Sequence, residues 1–508
     1  MEVATTRGAV RGLSRDGITA FLGIPYAAAP SGAGRFAAPE EHEPWRDVRD
    51  ATEFGPTAPQ APRLLGSMDL RAYFGDGWHR GEDYLTVNVW TPDPAATGLP
   101  VMVFVHGGGF VAGSGRAESY DGSAFARDGV VLVTVNYRLG VAGFLDVPGA
   151  PANRGLLDVV AALRWVRENI AGFGGDPGAV TVFGQSAGAT IVGGLLATPD
   201  ATGLFRRAIV QSGSGLGAFS PEQASLVTRA AAEFLGVEAS AQAFAEISDE
   251  RLVETASKLA GIDLRTATHT DPLVGLSPFS LVLDTQPADA PVAEVDLLIG
   301  TNAEEGNLYL VPFGKYDSST SADVDAIAAK AHPDPLRLVK AYRSQRPAAT
   351  DGEIRSAILG DALFGAGTWA LTEAHARAFA YEFAWRSPAL DGALGATHTV
   401  ELPFVFGRTD LPSLRGPNRL LGDDEAPSSL VTRVHDSWVR FARTGDPGWP
   451  RYELDRRTTM RFDVDSGAVD DPRGAERQAW ERPAQLTRSA PRSGRGRGRR
   501  SRGARRSR

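Results

Sequence analysis

Short runs of apolar, β-branched residues alternate with longer stretches of helical spacing through the first half of the chain. Five runs read as strands: YLTVNVW (84–90), VMVFVHG (101–107), VVLVTVNY (130–137), AVTVFG (179–184) and RAIVQSG (207–213). Between the third and fourth, LLDVVAALRWVRENI (156–170) places its apolar residues on one helical face, and a GGDP turn stops it. This alternation is the βαβ signature of a mostly parallel sheet flanked by helices. The second half reads as more helical, with two further strand signals at VDLLIG (295–300) and AYEFAW (380–385). No internal repeat interrupts the pattern.

Composition adds boundaries to this picture. The 508 residues are 43% hydrophobic and 22% charged, which excludes a mostly disordered or fibrous chain. With 58 Gly and 33 Pro, many long ordered loops are expected. No Pro/Gly/Ser linker divides the chain before about residue 485, so residues 1–487 read as a single domain. No apolar run approaches the ~18 residues of a spanning helix. The opening MEVATTRGAV has no apolar signal core, which favours the cytoplasm. Cysteine is absent, excluding disulfides, a cysteine nucleophile and Cys-ligated metals.

The net charge of -8 conceals an asymmetry. Residues 488–508 hold ten Arg and no acid, leaving the remainder at about -18. An acidic body argues against a nucleic-acid-binding core. The tail has no apolar periodicity, reads as disordered, and at most binds polyanions weakly.

Two motifs carry the chemistry. FGQSAG (183–188) centres a G-x-S-x-G on Ser186, directly after a strand pattern and before the small-residue helix start AGATIVGGLLA. A nucleophile elbow needs that strand–turn–helix setting, because the flanking glycines allow the sharp turn that exposes the hydroxyl. HGGGF (106–110) ends another strand, and its successive glycines can aim backbone N–H groups at a developing oxyanion, with Ala187 N–H completing the set. It lacks the Lys and Ser/Thr of a phosphate-binding loop. His106 is expected to brace this loop rather than react.

A serine nucleophile needs a base and an orienting acid, and in this architecture the acid and then the His follow the serine along the chain. His398 in GATHTVELPF sits beyond the strand at 380–385, where catalytic groups are placed. His375 lies in a helical pattern and reads as solvated, His435 begins another helix, and His269 and His332 fall in polar loops. For the acid, GTNAEEG (300–306) follows a strand and offers Glu304 or Glu305, which spacing alone does not separate.

The motifs together resemble the type-B carboxylesterases, the cholinesterase-like branch of the α/β-hydrolases. Beyond those above they include FLGIPYAAAP (21–30), GEDYLTVNVWTP (81–92), NYRLG (136–140), QSGS (211–214), ATHTVELPFVFG (396–407) and WVRFARTGDPGWP (438–450). The resemblance implies an α/β-hydrolase fold with long loop insertions around the site. It places the nucleophile on Ser186, the base on His398, the acid on Glu305 and the oxyanion hole on Gly108, Gly109 and Ala187. Glu304 then becomes a solvated neighbour. No cofactor or metal is implied, and the expected partner is a small-molecule ester, bound by a monomer or homodimer.

Departures from the family accompany these matches. The glutamate usual before the nucleophile is Gln185, whose side chain is expected to point away from the substrate. Tyr84 replaces a common Cys, and the Arg-rich tail has no counterpart. The segment LLGSMDLRAYFGDGW (64–78) stands where relatives carry a loop over the active site, so its apolar residues are candidates to line a pocket. The competing readings are a carbamate or amide hydrolase with the same residues, and a non-catalytic interaction module. The latter is disfavoured because Ser186, Glu305 and His398 are all present.

Overall fold

The computed structural model describes residues 1–291 and 293–481; the expected tail, 488–508, lies outside the described residues. Fourteen strands form two sheets: β1 (Glu2–Thr5), β2 (Gly8–Arg11), β3 (Leu13–Arg15), β4 (Ile18–Pro25), β5 (Arg49–Asp50), β6 (Thr86–Thr91), β7 (Leu99–Val105), β8 (Val131–Val135), β9 (Gly175–Gln185), β10 (Arg207–Gln211), β11 (Asp296–Asn302), β12 (Ala378–Phe383), β13 (Thr458–Phe462) and β14 (Gly467–Asp470). β1, β2 and β5 make a small sheet at the N-terminus. The other eleven form one sheet in the order β14-β13-β12-β11-β10-β9-β7-β8-β6-β4-β3. Its seven central strands, β13 to β8, run parallel, and antiparallel strands close both edges.

The continuous apolar runs follow from this arrangement, because a parallel strand covered on both faces has no side to leave polar. In β7, Val101, Val103 and Val105 feed one core, while Met102 and Phe104 feed the other. The helix expected at 156–170 spans Arg154–Asn169, followed by a 3-10 turn to Phe173 and a left-handed Gly174. All seven sequence-read strands are present within a few residues. The short strands β1, β2, β3, β5, β13 and β14 were not read, because few of their residues belong to apolar runs; β4, whose ITAFLGIP is largely apolar and buried, was missed as a strand.

A buried charge cluster ties the helix Arg154–Asn169 to the loop after β8. Arg138 donates from Nε and Nη2 to the two carboxylate oxygens of Asp158 at 2.9 and 2.6 Å, and its backbone N–H also binds Asp158. Its Nη1 donates to the carbonyls of Arg35 and Ala37. Neighbouring Arg154 gives its guanidinium N–H groups to the carbonyls of Ala142, Pro151, Val141 and Leu145. Among the described residues no helix is long and apolar enough to cross a membrane.

Candidate active site

Because the central strands are parallel, their C-terminal ends share one edge of the sheet, the usual location of sites in such folds. HGGGF leaves β7 there, Ser186 follows β9, Ser212 follows β10, and Glu305 lies just beyond β11. His398 comes from the long segment after β12.

Ser186 is an N-cap with φ 59° and ψ -126°, a strained conformation for a residue with a side chain. The flanking glycines make that turn possible by close approach. A Cβ on Gly184 would stand 2.6 Å from the Gly188 carbonyl carbon, and one on Gly188 would stand 2.1 Å from the Val105 oxygen. Helix Ala187–Leu196 follows at once, so the Ala187 N–H is a first-turn donor without an acceptor inside its own helix. Gly108 and Gly109 have φ of 125° and 64°, conformations that favour glycine. His106 braces the loop as expected: it is buried, stacks on Tyr137 and bonds the Gly107 carbonyl oxygen. Burial lowers its pKa to about 4, so it is neutral.

The three sequence-read groups form one chain of hydrogen bonds. Ser186 Oγ lies 2.9 Å from His398 Nε2, and His398 Nδ1 lies 2.6 Å from Glu305 Oε2. The other Glu305 oxygen accepts from the Ser212 hydroxyl at 2.5 Å and the Asn302 N–H at 2.7 Å. These bonds fix the carboxylate and, through it, the imidazole tautomer with its proton on Nδ1. Phe364 lies flat on the imidazole, ring centroids 4.3 Å apart and 8° from coplanar. It projects from a π-helical turn, Asp361–Gly365, anchored where buried Asp361 pairs with Arg473. One turn beyond His398, the buried Glu401 accepts from Asn302 Nδ2 at 2.7 Å and Gln211 Nε2 at 3.3 Å. Burial, and then the charge of Glu305, push its pKa up to about 7.

Three expectations are corrected. Gln185 does not point away from the site: its Nε2 is 3.2 Å from His398 Nε2, and it lines the Ser186 cavity. Glu304 is half-buried rather than solvated, ion-paired to Arg386 and accepting the Ala396 N–H at 2.8 Å, which holds the loop leading to His398. His375 is buried, not solvated, because helix Ala366–Ala374 ends just before it. His269 bonds to Thr268, His332 meets Trp480 edge to face, and His435 bonds the Val405 carbonyl, so none of the three belongs to the Ser186 network.

The cavity over Ser186 has a volume of about 80 Å³ and opens beside a second of about 300 Å³. From segment 64–78, Leu65, Leu70, Tyr73 and Phe74 line the first cavity, whereas Met68 packs into the core. Sequence reading assigned no role to Ser212, Asn302, Phe364, Glu401 or Arg63. Ser212 had a visible signal in the QSGS string at a strand end, and Asn302 and Glu401 fell within the quoted strings GTNAEEG and ATHTVELPFVFG.

The sheet order and the strand–turn–helix at Ser186 define an α/β-hydrolase fold. The sequence profile of the carboxylesterase family matches residues 1–480, and the chain belongs to that family. It is 36% identical over 492 residues to the para-nitrobenzyl esterase of Bacillus subtilis, covering 94% of this chain and 97% of that protein. The phenmedipham hydrolase of Pseudarthrobacter oxydans is 35% identical over 472 residues, covering 89% of this chain and 92% of that protein. Among solved structures, a Geobacillus stearothermophilus carboxylesterase superposes with a TM-score of 0.82 at 35% identity, covering 94% of this chain and all of that one (100%).

Proposed function

We propose that this carboxylesterase hydrolyses small-molecule carboxylic esters through an acyl-enzyme, with Ser186 as nucleophile. The observation that carries the reading is the unbroken hydrogen-bond chain from Ser186 through His398 to Glu305, opening on a cavity. His398 Nε2 takes the hydroxyl proton as Oγ attacks the ester carbonyl. Glu305, held by Ser212 and Asn302, stabilises the imidazolium that forms. The N–H groups of Gly108, Gly109 and Ala187 receive the tetrahedral oxyanion. Collapse expels the alcohol, which leaves with the proton from His398. Water, activated by the same imidazole, then releases the acid and restores Ser186.

Residues 1–487 are proposed to act as one catalytic unit, as a monomer or homodimer in the cytoplasm. Reaction with an aryl phosphonate followed by peptide mapping tests the assignment. One label per chain on Ser186 is the expected outcome, and a label on another serine overturns it. Cell fractionation tests the location.

A further inference from the structure

The wall between the two cavities carries a cation without a counter-charge. Arg63 lies in the loop between β5 and β6 and lines both the Ser186 cavity and its larger neighbour. Its Nε is closed to solvent and has no hydrogen-bond partner. Burial draws the guanidinium's pKa down, and the charge-bearing group that offsets this is the Tyr309 phenol, not a carboxylate. Among the described residues no acid lines the Ser186 cavity, and Asp249, the one acid lining the neighbouring cavity, is paired with Arg35 at 3.3 Å. A Cβ on Gly109 would be 3.5 Å from Arg63 Nη2, so the guanidinium stands beside the glycines proposed to hold the oxyanion.

An arginine in a partly dry site stays charged and keeps a fork of donors suited to a carboxylate. Leaving those donors unpaired is costly, whereas Arg138 and Arg154 have theirs taken by protein oxygens. Among the described residues the chain thus holds a cation within the substrate space and supplies no carboxylate for it.

We propose that Arg63 binds a carboxylate carried by the substrate, so that the preferred esters are anionic and bear a free carboxylate beside the scissile ester. This inference rests on Ser186 esterase activity. The carboxylate can lie on either side of the ester bond, since Arg63 borders both cavities.

Two matched pairs of substrates separate these cases. Mono-4-nitrophenyl adipate against its methyl ester places the charge on the acyl side; 4-acetoxybenzoate against methyl 4-acetoxybenzoate places it on the leaving group. The parent enzyme is expected to favour the charged member of at least one pair by about tenfold or more in kcat/KM. In Arg63→Gln that ratio should collapse toward one, and Arg63→Lys should retain part of it. Free adipate or benzoate should also inhibit neutral-ester turnover of the parent competitively, which needs no variant. A parent that prefers the neutral member of both pairs overturns the proposal, as does an unchanged ratio in Arg63→Gln. Absence of Ser186-dependent hydrolysis with all four substrates would instead strike the esterase reading itself.

Discussion

Two buried polar clusters, built from similar residue types, differ in how completely they are satisfied. Around Arg138, Asp158 and Arg154, donors from both guanidiniums meet carboxylate or carbonyl oxygens. Around His398, Glu305 is fully engaged, yet Asn302 Oδ1, Tyr381 OH and the hydroxyls of Thr397 and Thr399 are buried without a partner. Arg63 Nε is unpaired as well. The first cluster is finished by folding and can only hold structure together. The second retains hydrogen-bonding capacity after folding, which is what a site needs to act on something that arrives later.

The comparison breaks hardest at the nucleophile. Ser186→Ala and His398→Ala should each lower kcat by about 10³-fold or more, because the members work as a unit. The melting temperature of Ser186→Ala should stay near the parent's, since its hydroxyl bonds only His398, and that of His398→Ala should fall modestly, since the imidazole also bonds Glu305 and stacks on Phe364. A large loss of stability in both would erase the distinction drawn here.

Asp158→Ala tests the opposite cluster. It leaves Arg138 charged, buried and unpaired, and should cost about 3–5 kcal/mol of unfolding free energy. Denaturant titration reads this directly. A loss under ~1 kcal/mol would mean that the carbonyls of Arg35 and Ala37 suffice for Arg138.

Glu401 sharpens the contrast through pH. Its folded pKa of about 7 lies above the ordinary 4.5, so the folded state holds the proton more tightly than the unfolded chain. The stability it contributes is complete below pH ~4.5 and is lost as pH rises through about 7. A shift of that size corresponds to about 3 kcal/mol. Glu401→Gln should remove this slope between pH 5 and 8 while adding a constant offset, because its amide N–H faces donors from Asn302 or Gln211. Parallel stability–pH curves for parent and variant would contradict the assignment.

The smallest effect is expected at Gln185→Glu. With the Nδ1 proton committed to Glu305, Nε2 accepts from both the Ser186 hydroxyl and the Gln185 amide. A carboxylate there favours the imidazolium, so the acid limb of the rate profile should move to higher pH. At alkaline pH turnover should stay within about tenfold of the parent, or ~1.4 kcal/mol. An unshifted acid limb would show that this contact does not reach the base.

The legible parts of the fold were the buried parallel strands, since covering both faces writes an unbroken β-branched run into the chain. β1, β2, β3, β5, β13 and β14 span two to five residues each, so periodicity had little to register, whereas the apolar run of β4 was present in the chain and was overlooked. Ser186 and the Gly108–Gly109 pair were legible because an elbow and a left-handed loop demand glycine at fixed offsets. Choosing Glu305 over Glu304 required the family resemblance. Ser212, Asn302, Glu401, Phe364 and Arg63 escaped notice because their roles arise only when distant segments meet. Gln185 was misread for a related reason: the strand end sets its direction, but the position of His398 decides what it meets.

The Phe364 ring beneath His398 also governs how the base moves. Two near-parallel rings with centroids 4.3 Å apart resist tipping, which would break the stacked contact, more than they resist sliding parallel to their faces. In the proposed mechanism the proton travels from Ser186 Oγ to a departing alcohol oxygen, and later from water back to Ser186. All of these atoms can be served by small in-plane excursions of Nε2 about the Glu305 hinge at Nδ1. In the proposed mechanism the π-helical turn that carries Phe364, footed on the Asp361–Arg473 ion pair, would keep the imidazole in one plane as the proton changes hands.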